Sequence, residues 1–189
     1  MKILVIDNYD SFTYNLVHIL KELSGSEVDV FRNDAITLDE IGNYNKIVIS
    51  PGPGVPDQAG ITKCMIKHFG SSKSILGVCL GCQAIAEAYG GSLINLKKVY
   101  HGVETDVIIE DTKEPLFKDI PVRFRAGRYH SWIVNEKDLP TNIKITAKDD
   151  EGYIMGISHT SHDVRGVQFH PESVMTIHGK QMLQNWIKI

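Results

Sequence analysis

The stretch GVCLGCQAI, residues 77–85, carries a Cys-x-x-Cys whose two thiols admit three chemistries. As a dithiol, Cys79 and Cys82 would form a redox pair at the start of a helix that follows a strand. As metal ligands they would need two further donors, which His159 and His162 could supply. The third reading comes from the wider frame. Gly77-Val78-Cys79-Leu80-Gly81 is a G-x-C-x-G between an apolar run and a helix-favouring run, the form of a nucleophile elbow. Small residues on either side let the chain turn sharply and present Cys79 above the end of a sheet. The unpaired N–H groups and positive dipole end of the following helix favour a negatively charged sulfur there and could meet a developing oxyanion. Cys82, one turn on, then reads as a small buried apolar residue.

A cysteine nucleophile needs a base, and a histidine at the end of another core strand would supply it. The strand-like run Val164 to Phe169 ends in Phe169-His170-Pro171-Glu172. Alternation puts His170 and Glu172 on the same side, where the carboxylate can orient the imidazole, and Pro171 ends the ladder between them. The candidate triad is Cys79, His170 and Glu172.

The elements that must position this triad follow from the hydrophobic pattern. Ile3 to Ile6 is an apolar run without alternation, a strand buried on both faces. Phe12, Leu16, Ile19, Leu20 and Leu23 recur at helical spacing, with Asp10 or Ser11 available to cap and Ser24-Gly25 to stop. Val28 to Phe31 and Ile47 to Ile49 are further strands, with a Thr37/Glu40 capping box between them. The loop SPGPGVPDQAG leads to a helix around Ile61 to Phe69, and SILGV is the strand before the elbow. This alternation predicts an α/β fold with an open, mostly parallel twisted sheet and helices on both faces. After Ser92 the strand-like runs Leu93 to Leu96, Val103 to Ile109, Val122 to Phe124, Ile143 to Ala147, Tyr153 to Ile157 and Val164 to Phe169 lack intervening helices, which predicts a small antiparallel extension. A last helix is expected over roughly Met175 to Ile187.

With 189 residues, 42% hydrophobic and 23% charged, the chain fits a single globular domain, residues 1–189. A net charge of -3 and no Lys/Arg cluster argue against a nucleic-acid partner. No run approaches a membrane span or a signal-peptide core, so a cytoplasmic location without a membrane partner is expected. Three cysteines are too few and too odd in number for a secreted disulfide framework.

Five stretches in order resemble the motifs of the class I (triad) glutamine amidotransferases, in the branch that forms the small subunits of anthranilate synthase and aminodeoxychorismate synthase. They are DNYDSFTYNL (7–16), SPGPG (50–54), GVCLGCQAI (77–85), RYHSW (128–132) and FHPES (169–173). The first narrows the resemblance to the chorismate branch. It implies that Cys79 attacks the side-chain amide of glutamine, that His170 carries protons and that Glu172 holds its tautomer. It implies an oxyanion hole of backbone N–H groups at Gly54 and Leu80, with glutamine held by Gly52, Pro53, Gly54, Leu80, Gln83, Ser131 and Trp132. No metal and no cofactor are expected in this chain. Two positions depart from the family motif: Cys82 stands where histidine is usual, and Trp132 where leucine is usual.

Ammonia released into water at neutral pH is mostly protonated, so such a glutaminase is useful only beside an acceptor. The resemblance therefore implies a partner, a separate chorismate-using large subunit, with Mg²⁺ on that partner. Anthranilate synthase is the first expectation and aminodeoxychorismate synthase, or both, the alternative. A γ-glutamyl hydrolase shares the Cys/His chemistry but leaves DNYDSFTYN unexplained. The stretch Asp7 to Ser11 reads either as a capped strand-to-helix turn or as part of the seam with the synthase, and His130, His159 and His162 as surface or loop residues.

Overall fold

Eleven strands and five helices follow one another in the computed structural model, which describes residues 1–189. In chain order they are β1 (Ile3–Asp7), α1 (Thr13–Ser24), β2 (Val28–Arg32), α2 (Leu38–Ile41), β3 (Lys46–Ile49), α3 (Thr62–Phe69), β4 (Ser74–Val78) and α4 (Leu80–Ala88). Then come β5 (Leu93–Asn95), β6 (Val103–Ile109), β7 (Arg123–Arg128), β8 (Trp132–Val134), β9 (Ile143–Asp149), β10 (Ile154–His159), β11 (Val164–Val167) and α5 (Gly179–Lys188). No helix is long and apolar enough to cross a membrane.

The unalternating apolar strands are the ones covered on both faces. Ile3 and Val5 of β1 pack with Leu16 and Leu20 of α1 and with Met182, Leu183 and Trp186 of α5. Leu4 and Ile6 point the other way, into a second core with Met65 and Ile66 of α3 and Cys82 and Ile85 of α4. Period-two alternation between two apolar environments is why neither face shows polar residues. Thr37 caps α2 through the expected box with Glu40. Helix α1 ends at Gly25, left-handed at φ 58°, whose N–H reaches Lys21 O. At its start neither Asp10 nor Ser11 is the cap; Phe12 takes that place, and Asp10 Oδ1 accepts from the Phe12 N–H.

The sheet has nine strands in the order β2-β1-β3-β4-β11-β10-β9-β6-β7. β2, β1, β3, β4 and β11 are parallel neighbours, and from β11 onward every pairing is antiparallel. The antiparallel extension is therefore four strands of the same sheet. It continues directly from β11, because the backbone of β11 can pair with a parallel strand on one edge and an antiparallel strand on the other. Strand order reverses between β1 and β3, the place where open α/β sheets leave a crevice at the carboxyl ends of their strands.

Three expectations are corrected. The last helix begins at Gly179, not near Met175, because Thr176 is tied elsewhere: its hydroxyl donates to His170 O and accepts from the Gly127 N–H. Leu93–Asn95 belongs to a separate two-stranded sheet with β8, a strand too short and too mixed to be legible. The strand expected at 122–124 runs on to Arg128 because it pairs along its whole length with β6.

Arg128 explains why β7 ends where it does. Its side chain is fully buried, with Nη1 2.5 Å from Asp149 Oδ2 of β9 and Nε donating to His130 Nε2 at 3.1 Å. The guanidinium lies 3.7 Å from the centre of the Tyr100 ring. His130 is thus buried and bonded, contrary to its expected surface position, and its Nδ1 faces Trp132 O at 3.0 Å. Burial first, and the neighbouring guanidinium second, pull the imidazole down to about 3. His159 is also buried, at the end of β10, stacked face to face on His162 at 3.9 Å.

Removing one partner of a buried ion pair leaves an uncompensated charge. Asp149→Ala is therefore expected to cost about 3–5 kcal/mol in urea unfolding, whereas the double variant Arg128→Met/Asp149→Leu costs much less. His130 resists protonation in the fold but takes a proton near its ordinary value when unfolded. Its contribution is present above about pH 6.5 and is lost as pH falls toward about 3, at up to roughly 1.4 kcal/mol per pH unit. Unfolding free energies measured from pH 7 to 4 should fall less steeply in His130→Gln than in the parent.

Candidate active site

Cys79 sits between β4 and α4 with φ 53° and ψ -103°, a backbone conformation that costs a non-glycine residue free energy and persists only when its surroundings impose it. The surroundings are tight. A Cβ on Gly77 would lie 2.4 Å from the Gly81 carbonyl carbon, and one on Gly81 would lie 2.5 Å from Ile49 O. The Cys79 N–H still reaches Val167 O of β11 at 2.8 Å, so the sheet's hydrogen bonding runs right up to the turn. Its side chain belongs to the core face shared with α1 and α5, whereas Cys82 faces the α3/α4 core. Both thiols are free, and burial pushes the Cys82 thiol well above its ordinary range. A dithiol pair is poorly served by that separation. His159 ends β10 and His162 follows it, near the end of β4 opposite Cys79, so they cannot share an ion with it.

His170 is 1% exposed, and its Nδ1 lies 2.7 Å from Glu172 Oε1. The strand ends earlier than expected, at Val167, so a turn rather than the pleat brings His170 and Glu172 together. Nε2 is buried without a hydrogen bond of standard geometry, yet the Cys79 thiol is close enough to act on the ring. Burial pulls the imidazole down, but its contacts with Cys79 and then Glu172 outweigh that and hold it above its ordinary value. Two aromatic rings pack edge-on against it: Tyr129 at 4.8 Å and Phe12 at 5.6 Å. Neither stands out as a site residue in the sequence. Phe12 reads there only as a helix position, although its place inside DNYDSFTYNL is a signal.

The segment 50–54 closes the other side of Cys79. Asn8 holds it: the Asn8 N–H donates to Ser50 Oγ and its Nδ2 to Ser50 O, both at 2.9 Å. Asn8 Oδ1 in turn accepts from Asn33 and Thr62. Gly52 passes so near that a Cβ there would lie 2.6 Å from Asn8 Cβ. Asp7 organises the turn itself, its Oδ1 accepting from the Tyr9 N–H, the Asp10 N–H and the Thr13 hydroxyl. Asp7 to Ser11 thus form a strand-to-helix turn held by Asp7, without the side-chain cap expected for α1, and the turn also braces the site.

Gly52, Pro53, Gly54, Leu80, Gln83, Ser131 and Trp132 all line one cleft of about 240 Å³ with Cys79 at its base. Val99, Tyr100, His101, Tyr129 and His130 complete it, and His170 and Glu172, both buried, are not part of its wall. Ser131 and Trp132 come to the cleft through the small sheet: Leu96 N–H bonds Ser131 O at 2.7 Å, and Asn95 pairs with Trp132. The Trp132 indole is only half-buried, so it is not core, and the Trp132 carbonyl is the group engaged from within, by Gln83 Nε2 at 2.8 Å. Such a cleft suits a small polar substrate, with a thiol, an imidazole–carboxylate pair and a glycine-rich backbone converging on it.

Comparison with known proteins gives the chain's family. The chain is 47% identical over 191 aligned positions to the bifunctional protein TrpGD of Thermotoga maritima, covering all of this chain and 32% of that protein. It therefore spans about a third of that relative. It is 49% identical over 188 positions to the aminodeoxychorismate/anthranilate synthase component 2 of Bacillus subtilis, covering 98% of this chain and 95% of the other. Among solved structures, a protein described as a putative GMP synthase subunit from Thermoplasma acidophilum superimposes with a TM-score of 0.89 at 27% identity, over 100% of this chain and 92% of that one. The model of the family described as glutamine amidotransferase class-I matches residues 4–189, and the chain belongs to that family.

Proposed function

We propose that this chain is the glutaminase component of a chorismate-using synthase, hydrolysing glutamine at Cys79 and delivering ammonia to a separate large subunit. The observation that carries the chemistry is the Cys79 thiol against a buried imidazole whose far nitrogen is held 2.7 Å from Glu172. Support for the chorismate branch comes from relatives such as the B. subtilis component 2, whose name covers both anthranilate and aminodeoxychorismate synthesis. Anthranilate synthase is our first assignment, with aminodeoxychorismate synthase, or service to both, as the alternative. Mg²⁺ would belong to the large subunit, and the pair would work in the cytoplasm.

In this reading the Cys79 thiolate adds to the side-chain amide carbon of glutamine, and the carbonyl oxygen takes up the negative charge. Backbone N–H groups of Gly54 and Leu80 meet that oxyanion. The His170 imidazolium gives its proton to the amide nitrogen, the C–N bond breaks, and ammonia leaves a γ-glutamyl thioester on Cys79. A water then gives a proton to neutral His170 as it adds to the thioester carbon. Collapse of this second adduct breaks the C–S bond and releases glutamate and the thiolate. Glu172 holds His170 in the tautomer that keeps Nε2 toward the sulfur. Gly52, Pro53, Gln83, Ser131 and the Trp132 backbone hold the substrate's amino-acid end.

Cys79→Ala should abolish glutamine-dependent product formation while leaving ammonia-driven synthesis by the large subunit intact. Cys82→Ala should keep glutaminase activity within a few-fold, since that thiol faces the opposite core; equal loss in both variants would restore the dithiol reading. Mixed with separately purified anthranilate and aminodeoxychorismate synthase large subunits, chorismate, Mg²⁺ and glutamine, the chain is expected to form anthranilate and to hydrolyse glutamine faster than alone. Product with only the second partner assigns the alternative, and no acceleration with either would point to a γ-glutamyl hydrolase.

A further inference from the structure

Gln168, the residue after β11, is fully buried, and its Nε2 lies 3.5 Å from Cys79 Sγ. A primary amide has a donor end and an acceptor end of nearly the same shape, and only one of them suits a negatively charged sulfur. The surrounding hydrogen bonds decide which end faces it. The Trp132 carbonyl can only accept, so the end of Gln83 lying 2.8 Å from it is the amide nitrogen. The second N–H of that nitrogen points at Gln168, 3.1 Å away, which must present its oxygen there. The opposite end of Gln168, toward the sulfur, is then the NH₂ group.

The same carbonyl is fixed from its other side. Arg128 Nε–H donates to His130 Nε2, so the His130 proton sits on Nδ1 and points at Trp132 O. An oriented series of hydrogen bonds therefore runs from the buried Arg128–Asp149 pair through His130, the Trp132 carbonyl, Gln83 and Gln168 to the nucleophilic sulfur. We propose that Gln168 is a further catalytic residue, whose Nε2–H donates to the Cys79 thiolate and holds it in place, with its donor end aimed by Gln83. The proposal rests on the reading of Cys79 as nucleophile. It gives the sulfur two oriented donors, the His170 imidazolium and the Gln168 amide. The amide remains when His170 has passed its proton to the leaving ammonia. Because a thioester sulfur carries no charge, this bond strengthens as the C–S bond breaks and thiolate departs.

The test needs no glutamine. In a Cys64→Ser background, which removes the exposed thiol, the rate of Cys79 alkylation by iodoacetamide is followed from pH 5 to 9, with melting temperatures as a check on folding. Gln168→Met, similar in shape but without a donor, is expected to move the midpoint of the profile up by roughly half to one pH unit. Gln168→Glu should move it further, because an acceptor then faces the sulfur. Gln83→Leu, which does not touch the sulfur, should move it in the same direction by less, because the Gln168 amide is free to turn. Profiles of Gln168→Met and Gln168→Glu that coincide with the parent overturn the proposal, and a shift in those two without one in Gln83→Leu overturns the aiming role of Gln83. Should Gln168→Met not fold, the Gln168→Glu and Gln83→Leu profiles still decide. If the parent's labelling does not disappear in Cys79→Ser, it is the nucleophile reading that fails instead.

Discussion

Everything in the site depends on holding one cysteine at a positive φ at the carboxyl end of β4. That conformation is unfavourable alone, and the structure imposes it from three sides. β3 and β11 flank β4 in parallel register, the Cys79 N–H is fastened to Val167 O, and α4 must begin at once because Gly81 is pressed onto Ile49 O. Remove the glycines and the helix moves off the sheet. The sulfur's position is thus a property of the sheet rather than of a flexible loop, as the proposed attack on a single carbon requires.

Legibility of the fold from sequence follows how local the physical cause is. β1, β3 and β4 are readable because two-sided burial writes an apolar run, and the Thr37/Glu40 cap because both partners lie three residues apart. β8 is not, because three residues carry too little pattern, and their strand character comes from pairing with residues some forty positions earlier. The start of α5 is hidden because Thr176 spends its hydroxyl on His170 O, a contact visible only in three dimensions. His130 misleads for the same reason: a histidine between a tyrosine and a serine looks solvated until Arg128 and Tyr100 are seen to be buried around it.

The site is legible in its reactive groups and hidden in its supports. A thiol in a glycine frame and a histidine two residues from a carboxylate announce themselves by type. Phe12, Tyr129 and Gln168 do not, since aromatic and amide side chains occur in every core. Yet these set the environment of the imidazole and the sulfur: two ring edges against His170 keep water from it, which strengthens its bond to Glu172.

The opening motif shows why supports of this kind are hard to separate from function. Asp7 closes the turn after β1, Asn8 pins the backbone of residue 50, and Phe12 reaches His170, so one short stretch touches both the glycine loop and the imidazole. Tyr9 and Tyr14, from the same stretch, remain exposed while their neighbours are fixed inside. The residues that brace the site and those that face outward thus belong to one short segment, which is why position in the sequence alone does not divide support from surface.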